Sequence, residues 1–227
     1  DIALFVRGHP GSLLCLAAGD TPLAAYRELV ALREQGEVDL NSAYYVGLDE
    51  WVGLGAGTRG SCRQVMNEAL YGPGGIRPGQ VRVFDGLARD IPAELERLNT
   101  WIRERGGIAY TVLGIRMNGH IGFNEPGTGL SEGCIQVKLD EITRSVSRKY
   151  FDLPLPVEYG IGVGARELKR ARRLVLMASG ERKASIVKAL VAGPITADIP
   201  VALLRDHPDA LLSLDRAAAG ALDEPLG

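Results

Sequence analysis

Leu13-Leu14-Cys15-Leu16-Ala17, followed by Ala18-Gly19-Asp20-Thr21-Pro22 and a run to Gln35, is the stretch that decides the fold. Five apolar residues without strict alternation read as a strand covered on both faces. The glycine turn leads into a helix over 22–35: Thr21 is placed to cap, Pro22 suits the first helical position, and Leu23, Tyr26 and Val30 share one face. Gly36 ends it. This strand–turn–helix unit recurs. Strands are expected at Ala43–Leu48, Val81–Phe84, Ala109–Leu113, Leu174–Ala178 and Ala210–Leu214, and helices over Gly60–Leu70, Pro92–Arg105 and Arg182–Ala192. In the helix over 92–105, Leu95, Leu98 and Ile102 align as a buried stripe, while Glu94, Glu96, Arg97 and Arg103 are read as its solvated side. Strands alternating with amphipathic helices specify an α/β domain, a mostly parallel, doubly wound sheet with helices on both faces. The polar segment 127–151 breaks the rhythm and reads as a loop or helical lid.

Composition agrees with this and narrows the function. The 227 residues suit a single domain, 46% apolar and 24% charged. A formal charge of -2 gives no electrostatic ground for a nucleic-acid partner or an anionic membrane surface. No apolar run approaches the roughly 20 residues that span a bilayer. Cys15, Cys62 and Cys134 are odd in number and far apart, so neither a disulfide framework nor a structural zinc site is indicated. They read as small buried hydrophobes in a reducing compartment, and the cytoplasm is the expected location.

Polar and glycine-rich residues gather just after the expected strands: Gly19-Asp20-Thr21, Asp49-Glu50, Asn118-Gly119-His120, and Ser179-Gly180-Glu181-Arg182-Lys183. The C-terminal ends of parallel strands share one side of a sheet, so four such tips predict one composite site. The Gly19-to-Pro22 turn offers backbone N–H groups and the positive end of a helix to a phosphate, although such turns are also common structural devices. Lys183 could add a cation or stand merely exposed. A carboxylate at the Asp49-Glu50 strand end could be a general base; the competing reading, that one of the pair merely caps the next segment, is the stronger one for an isolated pair. His120 lies among an amide, a carboxylate and glycines, which suits proton transfer better than a core role.

The run Leu113-Gly114-Ile115-Arg116-Met117-Asn118-Gly119-His120-Ile121-Gly122-Phe123-Asn124-Glu125-Pro126-Gly127 resembles the signature of the glucosamine-6-phosphate deaminase family. Leu48-Asp49-Glu50-Trp51-Val52-Gly53, Ala18-to-Pro22, Ser179-to-Ala184 and Gly193-Pro194-Ile195-Thr196 extend the match over nearly the whole chain, in family order. The resemblance implies a Rossmann-like fold and a hexosamine 6-phosphate (gluco- or galacto-configured) as substrate. The reaction would be aldose–ketose isomerisation with release of ammonia.

By motif match, Asp49 would move the proton between C2 and C1, and His120 would assist ring opening, oriented by Asn118 and Glu125. Gly19, Asp20, Thr21 and Lys183 would hold the phosphate with Arg148 or Lys149 of the lid. No cofactor and no metal is implied. A homo-oligomer is compatible with such a fold, as is a first strand ahead of Asp1.

Several positions depart from the family pattern. Asn118 stands where many members have Asp, Asp20 lies in the phosphate turn, Arg116 replaces a small residue, and Ile135 replaces an effector-binding Arg. Two alternatives are a 6-phosphogluconolactonase-type hydrolase and a non-catalytic sugar-phosphate sensor. The former is disfavoured by Phe123-Asn124-Glu125-Pro126, where lactonases carry a Leu-Phe-Pro type of run, and the latter by the presence of both Asp49 and His120.

Overall fold

A computed structural model describes residues 1–147, 151 and 157–222. The elements are α1 (Ile2–Gly8), β1 (Leu13–Leu16), α2 (Leu23–Glu34), β2 (Tyr44–Gly47), β3 (Asp49–Trp51), α3 (Cys62–Met66), β4 (Val81–Arg82), α4 (Ile91–Glu104), β5 (Tyr110–Gly114), β6 (Cys134–Lys138), α5 (Glu141–Ser147), β7 (Tyr159–Val163), α6 (Ala165–Lys169), β8 (Arg173–Ala178), α7 (Ala184–Ala192) and β9 (Ala210–Leu214). Six strands pair in parallel in the order β4-β2-β1-β5-β8-β9. Counted along the chain this is 3-2-1-4-5-6, the doubly wound order, with its reversal between β1 and β5.

Alternate residues of each strand feed two separate cores. Leu13 and Cys15 pack with Leu98 and Ile102 of α4 and with Ile186 and Val187 of α7. Leu14 and Leu16 pack with Val6 of α1, Tyr26 and Leu29 of α2, and Met66 of α3. The inner strands β1, β2, β5 and β8 are therefore buried on both faces, which is why their sequences run apolar without alternation, while the edge strands β4 and β9 are partly exposed.

The structure corrects four expectations. Helix α2 starts at Leu23, Pro22 is its cap residue, and Thr21 makes no capping bond. Glu94 is buried instead of solvated: it accepts from Asp85 N (2.6 Å) and from Arg97, whose guanidinium draws the pair onto the sheet edge. The segment 127–151 is not simply loop or helix, since it contributes β6 as well as α5. Finally, β3, β7 and β6 form a second, antiparallel sheet. It covers a small core of Trp51, Phe123, Leu139, Phe151 and Val157, with the Trp51 and Phe123 rings 4.6 Å apart. Among the described residues no helix is long and apolar enough to cross a membrane.

Two glycines of β7 let this small sheet close on the main one. A Cβ at Gly160 would drive into the ring of Phe123, and one at Gly162 would lie 3.1 Å from Asp49 Cβ. Gly160→Ala is therefore expected to lower stability by about 1–3 kcal/mol through overpacking. Urea denaturation at neutral pH measures it, and an unchanged midpoint would show that Phe123 can move aside freely.

Candidate active site

The tips of β1, β2, β5 and β8 enclose a cleft of about 680 Å³. Gly19 and Asp20 reach it from β1, Asp49 from the β2–β3 junction, Arg116, Asn118 and His120 from the loop after β5, and Lys183 from the turn after β8. The four polar tips anticipated on one rim do meet. Thr21 does not line the cleft, Asp20 lies exposed at its lip, and Glu125 stands behind His120. Arg148 and Lys149 fall outside the described residues.

Asp49 and Glu50 sit in different surroundings. Glu50, 2% exposed, accepts hydrogen bonds from Trp51 N (2.9 Å), Ser61 Oγ (2.7 Å), Cys62 N (3.1 Å) and Arg63 N (3.0 Å). The last two are N–H groups in the first turn of α3, so this carboxylate closes the helix start beside Ser61, the cap residue, whose hydroxyl accepts from Gln64 N. Successive residues of a strand point to opposite sides, and Asp49 accordingly faces the cleft. It is held against the glycine backbone of β7, opposite Gly162.

Burial pushes the Asp49 carboxyl up from 3.8 to about 6. The Cys62 thiol, which hydrogen-bonds to it, works downward; the Glu50 charge adds to the rise, and Arg116 opposes it. Cys62 is thus not a mere core filler like Cys15 and Cys134. It lines the cleft, with its own thiol kept protonated by burial.

The loop after β5 passes against this carboxylate and carries the imidazole into the same cleft. Gly122 has φ +55°, and a Cβ on it would sit 3.3 Å from Asp49 Oδ2, so only glycine lets the loop pass so close. Asn124, 1% exposed, pins the loop: its amide donates to Ile121 O (3.0 Å) and Val163 O (2.9 Å) and accepts from Ala165 N (2.8 Å).

His120 Nδ1 then lies 3.3 Å from Glu125 Oε2 and 3.2 Å from Thr143 Oγ1. Asn118 does not touch the ring; its Oδ1 accepts the His120 backbone N–H (3.3 Å) and its amide reaches Glu125 Oε2 at 3.4 Å. Sequence reading did not single out Cys62, Asn124 or Thr143. Asn124 was visible only as one letter of the signature run, while Cys62 and Thr143 are distant in sequence from the groups they touch.

The Lys183 end is built differently. Gly180, with φ +90°, turns the chain after β8, and Asp215 ties the turn down by accepting from Ser179 Oγ (2.6 Å) and Gly180 N (2.9 Å). Lys183 follows in a single helical turn that runs into α7. The cleft is therefore lined by the Asp49 carboxylate, the His120 imidazole and the turn that carries Lys183.

Known proteins agree. A glucosamine-6-phosphate deaminase of Halothermothrix orenii is 37% identical over 214 residues, covering 94% of this chain and 89% of that protein. One from Clostridium perfringens strain 13 is 36% identical, covering 98% and 92%. A solved structure described as a monomeric glucosamine-6-phosphate deaminase superposes with TM-score 0.92 at 32% identity, covering 97% of this chain and 92% of that one. The 6-phosphogluconolactonase of Thermotoga maritima shares the fold, with TM-score 0.76, 17% identity and coverage of 94% and 89%. No family profile matches the sequence. The chain belongs to the glucosamine-6-phosphate deaminase family.

The Asp49 carboxyl supplies a test of the site independent of turnover. Because its proton is held more tightly in the folded than the unfolded chain, stability is lost as pH rises from 3.8 through about 6. Asp49→Asn is expected to melt higher than the wild type at pH 7.5, with the gap closing by pH 4. Thermal melts across that range measure it; an equal melting temperature at pH 7.5 would mean that the carboxylate is well solvated.

Proposed function

We propose that this enzyme converts glucosamine 6-phosphate to the 2-ketose 6-phosphate and ammonia, with Asp49 as the proton carrier and His120 as the ring-opening group. The observation that carries the reading is the meeting of Asp49 with the His120–Glu125 loop at Gly122 in one cleft that the Lys183 turn also lines.

Phosphate rests on the Gly19 turn and Lys183, with the backbone N–H groups of the turn and one cation opposing its charge. His120 Nδ1 faces Glu125, which leaves Nε2 to exchange a proton with the ring oxygen and the C1 hydroxyl as the pyranose opens. Asp49 then takes the C2 proton and returns it at C1. A single carboxylate can do so because the two carbons are adjacent and the open chain is held in place. The C2 imine takes up water, and the resulting carbinolamine expels ammonia. Electrons stay within the carbon chain throughout, so the scheme balances without an external oxidant.

With a carboxyl near 6, Asp49 is largely ionised at neutral pH yet basic enough to remove a carbon-bound proton. Glucosamine is favoured over galactosamine because the relatives similar over nearly the whole chain are glucosamine-6-phosphate deaminases. A location in the cytoplasm fits the three unpaired cysteines.

Ammonia release from glucosamine 6-phosphate, galactosamine 6-phosphate and, by acid production, hydrolysis of 6-phosphogluconolactone are the deciding assays. The first substrate is expected to be turned over, the second at least tenfold more slowly, and the lactone not at all; preference for the lactone would overturn the reading. Asp49→Asn is expected to lower kcat by at least about 100-fold, the lower end for a general base, and to stop exchange of the C2 proton with solvent. Cys62→Ala removes a hydrogen bond that pulls the carboxyl down, so the acid limb of kcat/KM should move to higher pH. A limb that stays in place would separate Cys62 from the base.

A further inference from the structure

The surroundings of His120 hold a second carboxylate that the motif match does not include. Asp140 Oδ2 accepts from the Asn118 amide at 2.7 Å, and its Oδ1 accepts from Thr143 N at 2.6 Å. The Thr143 hydroxyl also hydrogen-bonds to Asp140 and, at 3.2 Å, meets His120 Nδ1. Two branches therefore join Asp140 to the imidazole: one through Thr143 directly onto Nδ1, the other through Asn118, whose amide nitrogen serves both Asp140 and Glu125. Thr143 is 4% exposed and His120 5%, so the bond between them is shielded from bulk water, while Asp140 and Asn118 are partly exposed at the outer end.

We propose, resting on the function proposed above, that Asp140 is a positioning residue for His120, supplying through Thr143 and Asn118 the negative charge that an aspartate at 118 would otherwise bring. This accounts for Asn118. A carboxylate there would lie against Asp140 at hydrogen-bond distance with Glu125 close by, and such neighbours cannot all ionise. An amide instead gives one hydrogen to each carboxylate. The charge has moved one bond outward, onto the residue that starts α5. Because Asp140 and Thr143 both belong to that start, His120 has its full set of partners only when α5 is seated over the cleft.

The charged groups facing this corner are Glu125 on the His120 loop and Asp140 at the head of α5, with Asp49 and Arg116 lining the same cleft. Burial pushes the Asp140 carboxyl up, but the bonds from Thr143 and Asn118 and the neighbouring His120 outweigh it and hold it below the ordinary range.

The test is a charge swap: Asp140→Asn, Asn118→Asp, and the two together, each measured for kcat, KM and the His120 imidazole titration by NMR in the enzyme without substrate. Asn still caps a helix, so Asp140→Asn should fold, and its thermal melt confirms it. Asp140→Asn is expected to lower kcat at least tenfold with KM changed less than threefold, and to lower the His120 titration midpoint by about one unit, a tenfold loss in proton affinity. Asn118→Asp alone should be similarly impaired, and the double variant should recover to within about fivefold of wild type.

Wild-type kcat and titration in Asp140→Asn, or a double variant no better than the product of the singles, overturns the proposal. The titration needs no substrate and judges Asp140 even if the wild type releases no ammonia, which would instead overturn the proposed function.

Discussion

Everything at the site depends on how the chain leaves β2. A parallel strand normally hands its chain to a loop, but here it passes through Leu48 and starts the antiparallel β3 at Asp49 at once. That passage from one sheet to the other is held by Glu50, whose two oxygens are occupied by four donors from Trp51 and the head of α3. A buried carboxylate without those partners would cost several kcal/mol. With them it locks a corner in which Asp49 can point only into the cleft. The same lock brings Cys62 into reach of Asp49, because the N–H groups that bind Glu50 begin the helix that carries the thiol. One carboxylate is spent on architecture so that its neighbour has a defined place and a raised proton affinity.

The second antiparallel sheet serves the same corner from the other side. Gly162 lies opposite Asp49 and Gly160 opposite Trp51, so β7 presents bare backbone where the base and the Phe123 ring need room. β6, paired to β7, leads directly into Asp140 and α5. The strand pairing that completes the base therefore also delivers the groups around His120. Asp49 and the imidazole are joined mechanically as well as by shared occupancy of a cleft.

Much of this was legible before any coordinates. The inner strands of the main sheet were found because double-sided burial writes them as apolar runs, and the rim was found because polar clusters follow four of them, β1, β2, β5 and β8. The boundaries failed where local chemistry overrode pattern: Pro22 caps α2 in place of starting it, and Glu94 is drawn inward by Arg97 despite its charge. The antiparallel sheet was missed for a physical reason. β3 is three residues long and polar at its start, β6 alternates weakly, and β7 is rich in glycine, so none carries a hydrophobic period of its own. Their pairing is a property of the assembled fold. Arg148 and Lys149, placed by motif match on the phosphate, lie outside the described residues.

The lactonase neighbours sharpen what the fold can and cannot decide. Similar architecture at 17% identity shows that this sheet order tolerates almost complete replacement of its side chains, so the reaction has to be read from the rim. Here the informative run is Phe123-Asn124-Glu125. Phe123 packs on Trp51, Asn124 bonds to Val163 and Ala165, and those two anchors turn Glu125 inward behind His120. The motif is thus a clamp as much as a catalytic signature: two of its three side chains hold backbone so that the third can face an imidazole. A rim lacking that clamp could keep the histidine and the fold, yet it would have no fixed carboxylate at Nδ1 and no fixed direction for Nε2. The ring opening proposed for His120 asks for both, and that is why the proposal rests on this loop and not merely on the phosphate turn.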